Sequence, residues 1–258
     1  MRTPDVLLCA ADLAGVPASA RLLDDVERAR ARRYRDPAAH RRFLARRTWV
    51  RRLVAEAVGA DPAALVSAYC CPSCGSLPGA PARRGAGAVS AAGAPGAGDH
   101  GRPGYLLDGV RVPLGLSVSS AGDVAVAALW TPGPVAAGVD VTPVGADLET
   151  VAEQFFTPAE RAHVAAARSL PERRRRAALV WSAKEALAKA AGTGLGADPR
   201  SLETGGAPPR RGRPWRPVLA WDRLDPAPGE GAAAFAARLA DGFATAVAFS
   251  RGTPGGPC

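Results

Sequence analysis

Lysine is nearly absent from this chain, although the chain is rich in cations. Only two of its 33 Lys and Arg residues are lysine, and both lie within six residues, at Lys184 and Lys189. An ammonium is a compact point charge, whereas a guanidinium is a planar fork of donors. The sequence therefore indicates that this segment needs the ammonium. A GC-rich coding sequence would also favour Ala, Gly, Pro and Arg, so part of the arginine content has an explanation without function.

Long apolar runs are also missing. No run approaches the ~18 residues that a membrane-spanning helix requires, and the apolar run that follows the N-terminus is interrupted too early, at Asp12, to resemble a secretory signal. The chain has five cysteines, an odd number: Cys9, Cys70, Cys71, Cys74 and Cys258. We therefore expect a soluble protein of the reducing cytoplasm, with free thiols and no membrane partner.

A single C-x-x-C occurs at Cys71 to Cys74. Structural zinc takes four ligands, and no second pair follows, so a plain loop is the preferred interpretation. The next segment, 76–98, contains mostly Gly, Ala, Pro and Ser. Such a composition buries too little apolar surface to order itself, and we predict a flexible insertion there.

The formal net charge of +9 favours acidic partners, which include nucleic acids, phosphorylated small molecules and acidic proteins. The arginine runs RRFLARRTWVRR and PERRRRAALV keep a nucleic-acid-binding module open as an alternative. Aromatic residues make up only 5% of the chain, however, which is few for the series of stacking platforms that such a module uses. No zinc-finger or RNA-binding motif is present either, so we expect no specific nucleic acid partner.

The two lysines lie in the clearest helical pattern of the chain, from Glu172 to Ala191, which Gly192 and Gly194 should end. Helical spacing places Trp181, Glu185 and Lys189 on one face and turns Lys184 away from it. The ordinary interpretation of this face is an i,i+4 ion pair between Glu185 and Lys189.

Three segments together resemble a known family. They are WSAKEALAKAAGTGL at 181–195, GVDV at 138–141 and FFTPAE at 155–160. In this order they resemble the surfactin-type 4'-phosphopantetheinyl transferases. The resemblance implies a Mg²⁺-dependent enzyme of natural product biosynthesis that moves 4'-phosphopantetheine from coenzyme A to a serine of an acyl or peptidyl carrier protein and releases 3',5'-ADP.

The resemblance also implies a fold. We expect an α+β, two-lobed, pseudo-two-fold monomer in which each lobe is a small, mostly antiparallel sheet packed with helices. The N-terminal lobe would span 1–133 and bind the 3'-phosphate and adenine side of the coenzyme. The C-terminal lobe would span 134–250 and contain the metal site and the catalytic helix, followed by a tail at 251–258. The residue pattern predicts helices over 18–34 and 37–58, and strands at 5–10, 135–141, 215–221, 232–239 and 243–250, with two more strands within 112–130.

The metal would be held by Asp140, near the end of a predicted strand, and by Glu185. A second acid of the family pattern is replaced here by Thr142. Mg²⁺ often needs only one or two protein carboxylates, because waters and substrate phosphates complete its shell. By resemblance Lys189 would hold the pyrophosphate, with Lys184 as a second candidate.

Glu160 has two interpretations. It ends a Thr-Pro-Ala-Glu capping box, which explains the residue structurally, while the resemblance makes it a candidate base for the acceptor hydroxyl. The remaining coenzyme contacts implied by resemblance are Arg28, Arg30, Arg47, Arg51, Arg102, Ser119 and Ser120. Surface solvation is the alternative for each arginine, and Ser120 replaces a histidine of the family pattern. A member that lost catalysis and only binds coenzyme or carrier protein is a further alternative.

Overall fold

The computed structural model describes residues 6–69, 101–193, 198–204, 215–218 and 220–251. The cysteine cluster at 70–74 and the predicted insertion at 76–98 lie outside these ranges. The helices are α1 (Asp25–Ala31), α2 (Pro37–Val58), α3 (Glu149–Phe155), α4 (Pro158–Ala165), α5 (Leu170–Ala191) and α6 (Ala232–Gly242). The strands are β1 (Val6–Asp12), β2 (Val66–Ser67), β3 (Tyr105–Leu107), β4 (Val110–Arg111), β5 (Gly115–Ala121), β6 (Val124–Trp130), β7 (Val135–Pro143), β8 (Trp215–Pro217), β9 (Arg223–Asp225) and β10 (Phe243–Arg251).

Contacts within the chain define two units. One contains the residues up to Val16 and those from Gly115 onward, and the other is Pro17–Leu114. The first unit has a four-stranded sheet, β5-β6-β1-β9, and a three-stranded sheet, β7-β10-β8, and all pairs except β1 with β9 are antiparallel. The second unit packs α1 and α2 with a small antiparallel sheet, β2-β3-β4. The predicted α+β class is confirmed, whereas the boundary at 133 and the pseudo-symmetry stay predictions.

The core of the first unit forms around β6, whose seven residues are all buried. Its sequence, VAVAALW, is a continuous apolar run, as expected for a strand covered on both faces. Val126 packs in one cluster with Leu8 of β1, Val139 of β7 and Val247 of β10. The two sheets of this unit therefore share one apolar core, and β7 is fixed within it.

Helix α5 lies directly on β7, and a glycine makes this contact possible. A Cβ built on Gly138 would lie 2.1 Å from the carbonyl oxygen of Ala186 and 2.5 Å from the amide nitrogen of Ala190. The helix presents small residues to the sheet, because Ala183, Ala186 and Ala190 are all buried in the cluster it forms with β8 and β10. The backbones of strand and helix thus approach closely just before Asp140.

The long helices follow their sequence signals. Asp36 caps α2 by accepting hydrogen bonds from two backbone amides, and Gly59 ends the helix in the left-handed conformation. Helix α5 begins two residues before its predicted start and ends at Gly192, which has a φ of 76°. Both helix predictions are confirmed.

Three element predictions are wrong or too long. The predicted strand at 232–239 is helix α6, in which Phe235 and Leu239 share one buried face at i,i+4 spacing between alanines. The predicted helix at 18–34 is a 3-10 turn followed by α1, because the side chain of Asp24 accepts from the amide of Glu27 and starts a new helix. The strand predicted at 215–221 ends at Pro217.

Among the described residues, none of the helices combines the length and the apolar content that crossing a membrane would take.

Candidate active site

Asp140 is the buried acid of β7. Its Oδ1 accepts a hydrogen bond from the Ser119 hydroxyl at 2.7 Å, and its Oδ2 accepts one from the Thr142 hydroxyl at 3.1 Å. The Ser182 hydroxyl of α5 donates to its backbone oxygen at 3.0 Å. The carboxylate is therefore fixed in position by groups from β5, β7 and α5.

Lys189 reaches the same carboxylate from α5. Its Nζ donates to Asp140 Oδ1 at 2.6 Å and to the carbonyl oxygen of Val139 at 3.3 Å. A buried carboxylate is costly without a cation, and Lys189 supplies that cation here. The ion pair that the structure shows for Lys189 is thus with the strand, not the i,i+4 pair with Glu185 that helix spacing alone suggested.

Glu185 lies one turn before Lys189 and is half-buried. Burial raises the pKa of its carboxyl group, and the negative charge of Asp140 raises it further, while the charge of Lys189 acts in the opposite direction. No hydrogen bond joins this carboxylate to another residue of the described ranges. Asp140 and Glu185 therefore form a partly desolvated acid pair whose joint ionisation a further cation would favour.

This donor set fits a magnesium ion with an incomplete protein shell. The Asp140 carboxylate is near enough to raise the pKa of Glu185 by its charge, and hard oxygen ligands are those that Mg²⁺ prefers. Within the described ranges no cluster of three or more His, Cys, Asp and Glu side chains exists. Thr142 contributes a hydroxyl bonded to Asp140 in place of a third acid, so waters and a phosphorylated ligand would have to supply the remaining positions.

Ser119 and Ser120 point to opposite sides of β5, as successive strand residues do. Ser119 bonds to Asp140, and Ser117, two residues earlier, accepts a hydrogen bond from the amide of Val139. Odd-numbered serines of β5 therefore face β7. The structure brings Ser119 to the acid pair and does not bring Ser120 there.

Glu160 is at the centre of a second, fully buried polar cluster. Its carboxylate accepts from the amide of Thr157, the Nζ of Lys184, and the amide and hydroxyl of Thr204, at 2.6 to 2.9 Å. Burial acts to raise its pKa, but the hydrogen bonds from Lys184, Thr204 and Thr157 outweigh burial and lower it. The capping box with Thr157 is confirmed. The role of Glu160 as the base for the acceptor hydroxyl stays a prediction.

Lys184 completes that cluster. In addition to Glu160, its ammonium donates to the carbonyl oxygens of Pro199 and Leu202, at 2.8 and 2.7 Å. An ammonium has three N–H donors, and these three protein acceptors use all of them. Lys184 thus ties α4, α5 and the segment 198–204 together. Its predicted contact with the coenzyme stays a prediction that this geometry does not favour.

In the second unit, Arg51 is completely buried. Its guanidinium pairs with Glu27 at 2.6 Å and with Asp24 at 2.9 Å, and also donates to the carbonyl oxygens of Pro62 and Leu65. Surface solvation, the alternative to a coenzyme contact, is therefore wrong for Arg51. Its predicted phosphate contact remains a prediction, although its guanidinium binds protein groups here.

Arg47 is also buried, so surface solvation is wrong for this residue too. Its guanidinium carbon lies 4.5 Å from the Tyr69 ring centroid and 5.2 Å from that of Phe43, and it donates to the Tyr69 hydroxyl. Arg30 and Arg46 approach the same Phe43 ring, at 5.9 and 5.8 Å. The structure thus gathers three guanidinium groups around one aromatic ring.

This crowding acts on Arg46. Burial lowers the pKa of its guanidinium, and the charges of Arg47 and Arg30 lower it further. An anion near Arg30 and Arg46 would relieve the repulsion. Sequence reasoning did not single out Arg46 as a site residue. The signal available was the aromatic Phe43, three residues earlier on the same helix.

A second pair of crowded cations lies at the end of the small sheet. Burial lowers the pKa of Arg102, and the charge of Arg111 lowers it further. Sequence reasoning proposed Arg102 and missed Arg111, because the β3 to β4 hairpin that brings the two together was not predicted. Arg28, by contrast, pairs locally with Asp25 at 2.9 Å and donates to the carbonyl oxygen of Leu23.

Comparison with known proteins bears on the segment that contains the acid pair. A search of curated proteins gave no match. The family model of the 4'-phosphopantetheinyl transferase superfamily matches residues 136–214, which include Asp140, Glu160, Lys184, Glu185 and Lys189. The resemblance seen in the motifs is thus confirmed for residues 136–214 at the level of the 4'-phosphopantetheinyl transferase superfamily, and the surfactin-type subfamily stays a prediction.

Proposed function

We propose that the protein transfers 4'-phosphopantetheine from coenzyme A to a serine hydroxyl of an acyl or peptidyl carrier protein and releases 3',5'-ADP. The observation that carries the proposal is the position of Asp140 beside Glu185 and Lys189, within the segment that matches the superfamily. Two acids and one ammonium in a partly desolvated place are suited to a magnesium diphosphate.

The protein contributes positioning and charge, which is what phosphoryl transfer needs from an enzyme. Asp140 and Glu185 would hold Mg²⁺, which on binding neutralises charge on the diphosphate and makes its phosphorus a better electrophile. Lys189 would bind the diphosphate as a point charge. Ser119 and Thr142 keep the Asp140 carboxylate oriented.

Glu160 and Lys184 would act indirectly. Since the Glu160 carboxylate already accepts four hydrogen bonds, we propose that the pair positions α5 rather than removes the proton of the serine. The two crowded cation pairs, Arg30 with Arg46 and Arg102 with Arg111, are the coenzyme phosphate contacts that we propose in the second unit.

The test is the mass of an acyl carrier protein and of a peptidyl carrier protein after incubation with the enzyme, coenzyme A and Mg²⁺. We expect a gain of one phosphopantetheine group, and we expect Asp140→Ala and Glu185→Ala to abolish it while circular dichroism stays unchanged. Transfer that persists in both variants would contradict the metal assignment. Binding of coenzyme A without any mass gain would instead indicate a member that only binds, and a shift of random DNA in a gel would support the nucleic acid alternative.

A further inference from the structure

The strongest hydrogen bond to the Asp140 carboxylate comes from a cation of the chain itself. Lys189 Nζ lies 2.6 Å from Oδ1, and the side chain of Asp140 is only 7% exposed while that of Lys189 is 27% exposed. The ammonium is therefore more accessible to solvent than the acid with which it pairs. Glu185, one turn earlier on α5, has no such partner among the described residues.

We propose that the Lys189 ammonium is a built-in occupant of the cation position at Asp140, and that a divalent ion binds there by displacing it. This inference rests on the proposed function, which makes Asp140 and Glu185 the metal ligands. Two cations close to one carboxylate oxygen repel each other strongly in a partly desolvated site. The ammonium and the metal ion therefore exclude each other at Oδ1.

The exchange couples the metal to the diphosphate. Once displaced, the Lys189 ammonium lies beside a divalent cation, which repels it. An anion that binds both cations would reduce this repulsion. The diphosphate provides that anion, so metal and diphosphate each raise the affinity of the site for the other, as reciprocal linkage requires. The metal alone binds weakly, because it must break the ion pair first.

The scarcity of lysine gives a direct test on the unmodified protein. With only Lys184 and Lys189 in the chain, brief acetylation with an N-hydroxysuccinimide ester, followed by peptide mass mapping, reports on each. Lys184 is 1% exposed and fully hydrogen-bonded, so it serves as the internal reference. We expect Mg²⁺ alone to increase acetylation of Lys189 several-fold and inorganic diphosphate added with Mg²⁺ to suppress it again. Acetylation of Lys189 that Mg²⁺ leaves unchanged or lowers would overturn the inference.

A binding measurement provides the second test. In calorimetric titrations with Mn²⁺ and no coenzyme, Lys189→Met should lower the dissociation constant by about tenfold, the change that corresponds to one lost charge-assisted hydrogen bond. Arg174→Met removes an exposed cation from the same helix and should leave the constant unchanged, and Asp140→Asn should abolish binding.

The outcomes separate this inference from the proposed function. Equal affinities of the wild type and Lys189→Met would overturn only the displacement of Lys189. The absence of Mn²⁺ binding from both proteins would overturn the metal site as well.

Discussion

The two lysines lie five positions apart on one helix, yet their environments differ. Lys184 is buried, with its three donors bonded to Glu160, Pro199 and Leu202. Lys189 is a quarter exposed and pairs with Asp140. Lys184 is buried and all its donors are used, which indicates a structural role. Lys189 is partly exposed and can therefore contact a ligand. Sequence spacing predicted that the two point in different directions, and the structure confirms it.

Lys184→Met should therefore destabilise the protein without affecting diphosphate binding directly. Removing one partner of a buried ion pair leaves an uncompensated charge and costs roughly 3–5 kcal/mol. The free energy of unfolding in urea measures this loss of stability. The affinity for coenzyme A, measured at a temperature where the variant is folded, tests whether Lys184 also contacts the coenzyme. A tenfold weaker coenzyme affinity with little loss of stability would instead support the coenzyme contact predicted from the sequence.

Glu160 should make the protein sensitive to acid. Its pKa is lowered from the usual 4.5 in the folded state, so its contribution to stability is present above the unfolded pKa and is lost as the pH falls through the folded value. We expect the urea midpoint of the wild type to fall below about pH 5 and that of Glu160→Gln to depend less on pH. Glu153→Gln, at an exposed position, is the control, and identical pH profiles for wild type and Glu160→Gln would refute the assignment.

At the scale of elements, the contact between β7 and α5 determines whether a site forms. Gly138 lets the two backbones approach, and two residues later Asp140 lies opposite Lys189. The buried alanines of α5 continue the close contact along the helix. A wider separation would carry the acid away from the ammonium and from Glu185.

Gly138→Ala should therefore reduce both stability and transfer. Its Cβ would lie 2.1 Å from the Ala186 oxygen, which is backbone and cannot move alone, and overpacking of this kind costs roughly 1–3 kcal/mol or more. Thermal unfolding and carrier-protein transfer are the measurements. Gly145→Ala is the matched control, since no atom lies within 4 Å of the Cβ added there, and equal melting temperatures for the two variants would contradict the close-contact argument.

At the scale of the whole molecule, cations are distributed between two kinds of place. Some are neutralised inside a unit, as Arg51 is by Glu27 and Asp24. Others gather around one aromatic ring, as Arg30 and Arg46 do at Phe43, and there the charges of Arg47 and Arg30 lower the pKa of Arg46. An added anion is bound best where several cations lie close together, so the distribution of the net charge of +9 bears more on anion binding than its sum does.

Arg46→Ala should weaken the binding of coenzyme A more than that of 3'-dephospho-coenzyme A. A lost charge-assisted contact corresponds to roughly tenfold in affinity, and the coenzyme without the 3'-phosphate has no such contact to lose. Titration calorimetry with both coenzymes gives the comparison. Arg52→Ala, exposed on the same helix, should affect both equally little. Equal losses for both coenzymes in Arg46→Ala would place the 3'-phosphate elsewhere.

The sequence by itself determined the α+β class and the helices α2 and α5, and it supplied the candidate acid and ammonium residues, because caps, helix spacing and short motifs are local signals. The strand predicted at 232–239 was wrong. Its alanines are compatible with a strand or a helix, and the burial of Phe235 and Leu239 on one face selects the helix. Only the tertiary structure decided the partners: Lys189 with Asp140, Lys184 with Glu160, and Arg51 with Glu27. Each of these ion pairs joins residues more than twenty positions apart, and packing of the core, not sequence spacing, sets which charge each side chain meets.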